Sequence, residues 1–204
     1  MTNARENSVK QLSEMYNVVT GVALTVAILN VVDSDAPLIP IKSSLVAVNF
    51  LTFAAIIVPF HHGTVRHLYA TYVEGGGSSR IVRGALAMDF FILFAEGCLF
   101  VALAALIAKA NLFTGALIAL LILDCAWGFL ATLAFTGAQA QKAERKWSLI
   151  NLLTAALLIF LYIFGPKILS GWDIDMEIVV FVVCLVRSII DYYSSWDFYF
   201  PPKG

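Results

Sequence analysis

Residues 92–135 read ILFAEGCLFVALAALIAKANLFTGALIALLILDCAWGFLATLAF, and only Glu96, Lys109 and Asp124 in this stretch are charged. A bilayer core about 30 Å thick is crossed by about 20 consecutive apolar residues in a helix. The stretch is therefore long enough to cross a membrane twice. The polar Lys109-Ala110-Asn111 near its centre predicts a tight hairpin between two transmembrane helices.

The apolar pattern continues on both sides of this hairpin. We place six spans in all, and each is expected to be helical because hydrocarbon offers no hydrogen-bond partner to free backbone groups. The predicted spans are residues 15–33, 43–62, 83–109, 112–136, 147–169 and 176–195. Proline or glycine marks the connections at Pro37, Gly75-Gly76-Gly77 and Gly165-Pro166, and residues 137–145 form a polar linker. The predicted fold is an all-α integral membrane protein with short loops.

The composition of the whole chain indicates the same class of protein. Hydrophobic residues make up 60% and charged residues 13% of the 204 residues, and the mean hydropathy is +0.86. Soluble domains carry about 25% charged residues. This much apolar surface cannot be buried in a water-soluble core of this length. The net charge of −1 argues against a nucleic-acid partner, which would require a basic stripe.

The distribution of positive charge sets the expected orientation of the spans. With the amino terminus in the cytosol, the inner side carries Arg5, Lys10, Arg66, Arg80, Arg83, Lys142, Arg145, Lys146 and Lys203. The outer side then carries only Lys42, Lys109 and Lys167. Both termini are therefore expected to be cytosolic, in a bacterial-type inner membrane. Residues 1–14 form a cytosolic amphipathic or frayed lead-in, residues 15–195 the six-helix transmembrane domain, and residues 196–204 a cytosolic aromatic and proline-containing tail.

Five charged residues lie well inside the predicted spans, away from their ends, and Asn151 is expected at the same depth as two of them. These six residues are Asp89, Glu96, Asp124, Arg187, Asp191 and Asn151. A charge at the bilayer centre costs about 2.5–3.5 kcal/mol on insertion scales, so these side chains are expected to face the interior, to pair or to contact water. One arginine cannot neutralise four carboxylates. The sequence therefore predicts a buried polar network with a surplus of acid.

The spacing of these residues suggests two interpretations of the network. Arg187 and Asp191 are four residues apart and can pair along one helix. In a structural interpretation, Arg187 is a clamp that fixes the packing of helices. In a functional interpretation, the surplus acids line a route for protons, ions or a polar ligand, since ionisable residues inside membranes usually mark such routes. We favour the functional interpretation.

All three histidines lie in the segment Pro59-Phe60-His61-His62-Gly63-Thr64-Val65-Arg66-His67. The residues predicted at a cytosolic mouth are His61, His62, Arg66 and His67. They form either a pH-sensitive or anion-binding cluster, or anchors in the headgroup region. A metal ion held by His61, His62 and Asp89 is a third alternative. No other span offers a histidine for haem, and no HExxH motif is present, so we expect no metal and no cofactor.

These features leave three classes of function open. The first is a channel or carrier, assembled in the lipid bilayer as a homo-oligomer because a six-helix subunit is small. The second is an accessory, signalling or effector subunit that docks a cytosolic protein through its inner loops and aromatic tail. The third is a lipid-modifying membrane enzyme that uses acids such as Asp89 and Asp191. The absence of a GxSxG serine motif and of a nucleotide-binding motif counts against an enzyme.

Overall fold

The computed structural model describes residues 2–32, 41–74, 83–134, 138–172 and 174–201. The helices are α1 (Thr2–Val31), α2 (Ser44–Tyr69), α3 (Arg83–Leu106), α4 (Ala110–Ala134), α5 (Ala138–Leu169), α6 (Met176–Ser194) and the single turn α7 (Trp196–Tyr199). A π-helical turn, Ala70–Glu74, extends α2. Apart from an isolated bridge between Val32 and Ile41, the regular structure of the described residues is helical, which confirms the all-α prediction.

Five helical segments are long and apolar enough to cross a membrane. They are Glu6–Val31, Ser44–Glu74, Ala85–Leu106, Ala110–Thr132 and Ala143–Leu169. By length and composition they indicate an integral membrane protein. The sixth predicted span, residues 176–195, does form a helix, but α6 carries Glu177, Arg187 and Asp191 within 19 residues. Composition therefore supports five spans, rather than six, in the part of the chain that the structure describes.

Three helices extend beyond the predicted limits of their spans. α2 continues past His62 to Tyr69, and α1 begins at Thr2, so the lead-in residues from Thr2 onward belong to it. α5 begins at Ala138, so residues 138–145 of the predicted linker are helical. Their sequence, AQAQKAER, consists of strong helix formers and contains neither glycine nor proline. Polarity alone is therefore a poor guide to where these helices end.

Pro59 lies inside α2 without ending it. Proline has no backbone N–H, so the carbonyl of Ala55, one turn earlier, lacks its usual partner within the helix. The hydroxyl of Ser188 in α6 donates to this carbonyl at 2.7 Å. A bond between two helices thus replaces the missing bond within one, and it ties α2 to α6.

The six long helices pack as a closed ring. α1 contacts α3 and α2, α3 contacts α4, α4 contacts α5, α5 contacts α6, and α6 contacts α2. Large apolar side chains such as Phe53, Phe100 and Phe113 are fully buried, whereas Phe91 and Leu153 are exposed on the outside. Soluble monomers rarely expose large contiguous apolar surfaces. The apolar exterior is therefore consistent with a lipid environment.

Two asparagines bind the carbonyl groups at the end of α3. The last carbonyls of a helix have no partner within the helix and must find one elsewhere. Nδ2 of Asn49 donates to the carbonyl of Ile107 at 2.8 Å, and Nδ2 of Asn30 donates to the carbonyl of Ala104 at 3.3 Å. These bonds hold α1 and α2 against the end of α3.

Gly97 allows α1 and α3 to approach closely. A Cβ added at Gly97 would lie 2.6 Å from Cγ1 of Val19, and a valine in a helix has little rotamer freedom with which to move away. We expect Gly97→Ala to lower the free energy of unfolding by about 1–3 kcal/mol, measured by equilibrium unfolding in detergent micelles. Gly115→Ala is the control, because a Cβ there has no atom within 4 Å. Equal effects of the two substitutions would contradict this account.

Candidate functional site

His67 lies in the interior of the ring, between two carboxyl groups. Its Nδ1 is 2.8 Å from Oε1 of Glu144 in α5, and its Nε2 is 3.7 Å from Oδ2 of Asp89 in α3. All three residues are 0% exposed. An imidazole ring can donate from both nitrogens only as an imidazolium. The arrangement therefore suits a histidine cation that is held by two acids.

Asp89 also accepts hydrogen bonds from two other side chains. The hydroxyl of Tyr72 donates to its Oδ2 at 2.5 Å, and Nε1 of Trp127 donates to its Oδ1 at 3.0 Å. The indole ring also contacts the imidazole of His67 edge to face, with centroids 4.7 Å apart. We call His67, Tyr72, Asp89, Trp127 and Glu144 the His67 cluster. It joins α2, the π-helical turn, α3, α4 and α5, so five segments of the chain meet at one buried site.

This placement differs from the sequence prediction for two residues. His67 is predicted at the cytosolic mouth, and it is buried in the interior instead. Glu144 falls in the predicted linker and belongs to no predicted site, yet it is buried beside His67. The spacing contains a signal for both, because Phe60 and His67 are seven residues apart, as are Glu144 and Asn151, and each pair shares one buried helix face. That signal becomes visible only when α2 and α5 are known to extend so far.

A second group of polar side chains surrounds Arg187 of α6. Its Nε donates to Oδ1 of Asn151 at 2.9 Å, and its Nη1 is 3.2 Å from Oδ2 of Asp191. Nδ2 of Asn151 in turn donates to Oδ2 of Asp124. The guanidinium carbon lies 4.8 Å from the centroid of the Phe60 ring, within range of a cation–π contact. We call Asp124, Asn151, Arg187, Asp191 and Tyr199 the Arg187 cluster.

Tyr199 of α7 covers the Arg187 cluster at its end. The Tyr199 hydroxyl donates to Oδ2 of Asp191 at 3.1 Å. Burial raises the pKa of this hydroxyl, and the adjacent Asp191 carboxylate raises that pKa further. The hydroxyl is therefore a hydrogen-bond donor at neutral pH. The predicted aromatic tail thus contributes a buried residue to the network.

Glu96 lies on the buried side of α3, near the Arg187 cluster but without a hydrogen bond to it among the described residues. It is 3% exposed, and its charged neighbours are Asp124 and Arg187. Its Oε1 has no hydrogen-bond partner among the residues that the structure describes. The sequence predicts that Glu96, Asp124 and Arg187 meet in one plane. The structure places them in one neighbourhood but gives no direct hydrogen bond between Glu96 and either of the others.

His61 and His62 have separate partners and do not join His67. Nε2 of His61 is 2.6 Å from Oδ1 of Asn17, and Nδ1 of His62 is 3.3 Å from the hydroxyl of Tyr192. Both histidines are half-buried. Within the described ranges, no group of three or more histidine, cysteine or acidic side chains is arranged to hold a metal ion. The alternative of a metal shared by His61, His62 and Asp89 is therefore unsupported.

Arg66 of α2 binds to α7. Its Nη1 and Nη2 donate to Oε1 and Oε2 of Glu74 at 2.5 and 2.7 Å. Its Nε donates to the carbonyl of Phe198 at 2.8 Å, and its guanidinium carbon lies 5.4 Å from the centroid of the Phe198 ring. Arg66 is therefore engaged within the protein, although Glu74 is half-exposed.

A cavity of about 20 Å³ lies between the two clusters. Gly63 lines it from α2, and the polar residues of its wall are Thr64, Asp124, Trp127, Trp147, Arg187, Asp191 and Tyr199. A cavity needs about 10–15 Å³ of such volume to hold one water molecule. The cavity is therefore large enough for one water and too small for a hydrated ion.

The interior contains more acid than base. In the described residues, the two clusters and Glu96 together contain the carboxyl groups of Asp89, Glu96, Asp124, Glu144 and Asp191. The basic groups among them are His67 and Arg187. The structure thus adds one acid and one base, Glu144 and His67, to the network predicted from the sequence, and the surplus of acid remains.

Comparison with models of known protein families, with curated proteins and with solved structures finds no match. The class of this protein is therefore defined by its own fold and site. It is an all-helical protein with five candidate membrane-spanning helices around a buried acid–base network. The function is inferred from the chemistry of that network.

Proposed function

We propose that this protein binds protons inside the membrane and moves them through the His67 and Arg187 clusters. The observation that carries the proposal is the position of His67, buried between Asp89 and Glu144. Histidine is the side chain whose ordinary titration falls nearest neutral pH. Chains of Asp, Glu and His inside a membrane are typical of proton relays. The cluster combines these groups within hydrogen-bond or ion-pair distance.

The surplus of carboxyl groups supports the same proposal. An unpaired charge buried away from water is strongly unfavourable, and such a group is neutralised instead. Because His67 and Arg187 cannot neutralise all of the buried acids, some of these acids carry protons when the network is at rest. A proton held in this way is available for transfer to a neighbouring group.

The size of the cavity favours protons over larger species. A volume of about 20 Å³ admits one water molecule, and a hydrated ion or a polar ligand would require a wider route. A homo-oligomer could provide that route at an axis between copies of the chain. Transport of an ion or polar ligand through such an assembly is therefore the alternative form of the proposal.

We also propose that α6 is a sixth span. Arg187 and Asp191 are only 4% and 1% exposed, whereas Val182, Leu185 and Ile189 on the same helix are exposed. Burying the ion pair inside the ring reduces the cost of placing its charges in a bilayer. With six spans, the bias of lysine and arginine supports a topology with both termini in the cytosol, and a bacterial-type inner membrane remains part of the proposal.

Neutralising single acids tests the proposal. We expect Glu144→Gln and Asp124→Asn each to reduce proton flux by about an order of magnitude, because each removes one group that exchanges a proton. The measurement uses purified protein in liposomes that contain a pH-sensitive dye, driven by a potassium diffusion potential. Glu14→Gln is the matched control, since the Glu14 side chain is 62% exposed and pairs with Lys10 at 3.9 Å.

Two results would overturn the proposal. One is wild-type protein that gives no more flux than protein-free liposomes. The other is unchanged flux in both variants after size-exclusion chromatography has shown that they are folded. The Glu14→Gln control separates loss of a transfer group from a general effect of removing negative charge.

A second candidate function is that of an accessory or effector subunit with a cytosolic protein partner. The observation that favours it is the exposure of aromatic side chains near the end of the chain: Tyr193 is 86% exposed, Trp196 58% and Phe200 47%. They lie at or near a cleft of about 280 Å³ that also contains Lys146. A lipid-modifying enzyme is less well supported, because Asp89 is fully buried and is held by Tyr72 and Trp127.

A further inference from the structure

We propose that the cavity between the clusters binds a single ordered water molecule, and that this water links the carboxyl groups of Asp124 and Asp191. The inference deepens the proposed function, since it identifies how a proton would pass within the Arg187 cluster. It rests on the size of the cavity, on three polar atoms of the residues that line it and on the chemistry of the bonds that already join the cluster.

The volume fits one water and little else. The cavity measures about 20 Å³, above the threshold of about 10–15 Å³ that one water requires. A cavity with apolar walls stays dry, whereas a water enters a cavity whose walls offer it two to four polar groups. Whether a water binds therefore depends on the polar atoms of the lining residues.

Three polar atoms of the cavity-lining residues are buried without a hydrogen bond among the residues that the structure describes. They are Oδ1 of Asp191, Nη1 of Arg187 and Nε1 of Trp147. Nη1 of Arg187 reaches the other oxygen of Asp191 as an ion pair, and the Trp147 indole interacts with the same carboxylate, but neither contact has the geometry of a hydrogen bond. A buried polar atom without a hydrogen bond costs about 1–3 kcal/mol. A water can accept from the two N–H groups and donate to the carboxylate, which satisfies all three atoms.

The direct bonds within the cluster give the water its role. Asp124 and Asp191 are joined through Asn151 and Arg187. The guanidinium of arginine does not release its proton in proteins. This series of side-chain bonds therefore holds the two acids in place but does not pass a proton between them. Asp124 and Asp191 both line the cavity. The second hydrogen of that water can be donated to Asp124, so the water bridges the two carboxyl groups and completes a link that the side chains leave broken.

Gly63→Ala tests the water site because Gly63 lines the cavity. The added Cβ would lie 3.2 Å from the Tyr199 hydroxyl and 3.6 Å from Cζ2 of Trp147, so the methyl group would occupy the space of the water. Crystal structures of the full-length wild-type and variant proteins, at a resolution that shows ordered waters, give the direct measurement. We expect a water within hydrogen-bond distance of Oδ1 of Asp191 in the wild type and none in the variant.

Thermal unfolding in detergent gives an independent readout. Displacing a needed water leaves Asp191 and Trp147 without a partner, so the melting temperature of Gly63→Ala should fall by several degrees relative to that of Gly115→Ala. The control reports the ordinary effect of alanine for glycine in a helix, because its Cβ has open space around it. Filling a dry cavity would instead leave the melting temperature unchanged or raise it.

A second pair of variants tests whether a clash with the Tyr199 hydroxyl, rather than loss of the water, lowers the melting temperature. In a Tyr199→Phe background the hydroxyl near the added Cβ is gone, so Gly63→Ala should still lower the melting temperature if the water is what is lost. A neutral or stabilising effect in that background, or a wild-type cavity without density, overturns the inference. Neither readout uses proton flux. A visible water without flux would therefore remove the proposed function alone, and flux without the water would remove this inference alone.

Discussion

Arg187→Ala is expected to lower the free energy of unfolding by about 3–5 kcal/mol, the usual cost of removing one partner from a buried ion pair. Arg187 is 4% exposed and is the charged partner of Asp191, which is 1% exposed. Its removal leaves that carboxylate buried without a counter-charge, and it leaves Oδ1 of the Asn151 side chain without its donor. The loss also removes the contact with the ring of Phe60. Reversible unfolding in mixed detergent micelles measures the change.

Two further variants show whether the stranded charge is the cause. Adding Asp191→Asn to Arg187→Ala should recover part of the lost stability, because the remaining side chain is then neutral. Lys10→Ala is the surface control: Lys10 is 67% exposed and pairs with Glu14 at 3.9 Å, and exposed pairs contribute about 0–1 kcal/mol. If Asp191→Asn recovers nothing, the destabilisation comes from lost packing around Phe60 rather than from an uncompensated charge.

The helices could be predicted from the sequence because long apolar runs leave few alternatives to a membrane helix. The pairing of Arg187 with Asp191 could also be anticipated, since residues four apart on a helix are neighbours. Both inferences depend on local information. The charge content of α6 is local information as well, and it is the reason that composition alone supports five spans rather than six.

The His67 cluster could not be predicted in the same way, because its members come from distant parts of the chain. His67 and Glu144 are polar residues that fall outside the predicted spans. Such residues more often contact water or lipid headgroups. They are buried because α2 extends beyond His62 and α5 begins at Ala138. Which face of each extension turns inward is decided by packing against α3 and α4. Spacing within one helix groups His67 with Phe60 and Glu144 with Asn151, but it does not show which other helices those faces pack against.

Tyr199 illustrates the same limit at the end of the chain. Aromatic residues that follow a span usually act as anchors at the membrane surface, and the sequence predicts such a tail after residue 195. In the structure, α7 folds back so that Tyr199 is 4% exposed and bonds to Asp191. The carbonyl of Phe198 accepts a hydrogen bond from Arg66 of α2. Such long-range contacts cannot be deduced from the composition of the tail.

His67→Ala is expected to have an effect of similar size to that of Arg187→Ala, about 3–5 kcal/mol of the free energy of unfolding. Removing the imidazole leaves Asp89 and Glu144 buried with no base between them. Asp89 keeps the hydrogen bonds from Tyr72 and Trp127. The oxygens of Glu144 have no hydrogen-bond partner among the described residues, apart from the ion pair of Oε1 with His67. Glu144 therefore carries most of the expected cost.

A double-mutant cycle with Glu144→Gln gives the sharpest measurement of this pair, because the sign of one substitution should reverse between two backgrounds. In the wild type, Glu144→Gln should destabilise the protein, since it removes the acid that binds the imidazolium at 2.8 Å. In the His67→Ala background it should stabilise the protein, since it neutralises a stranded carboxylate. His61→Ala is the control, because His61 is half-buried and contacts Asn17 rather than an acid. In that background Glu144→Gln should remain destabilising. The same sign in the wild type and in His67→Ala would show that His67 and Glu144 are not held as a charged pair.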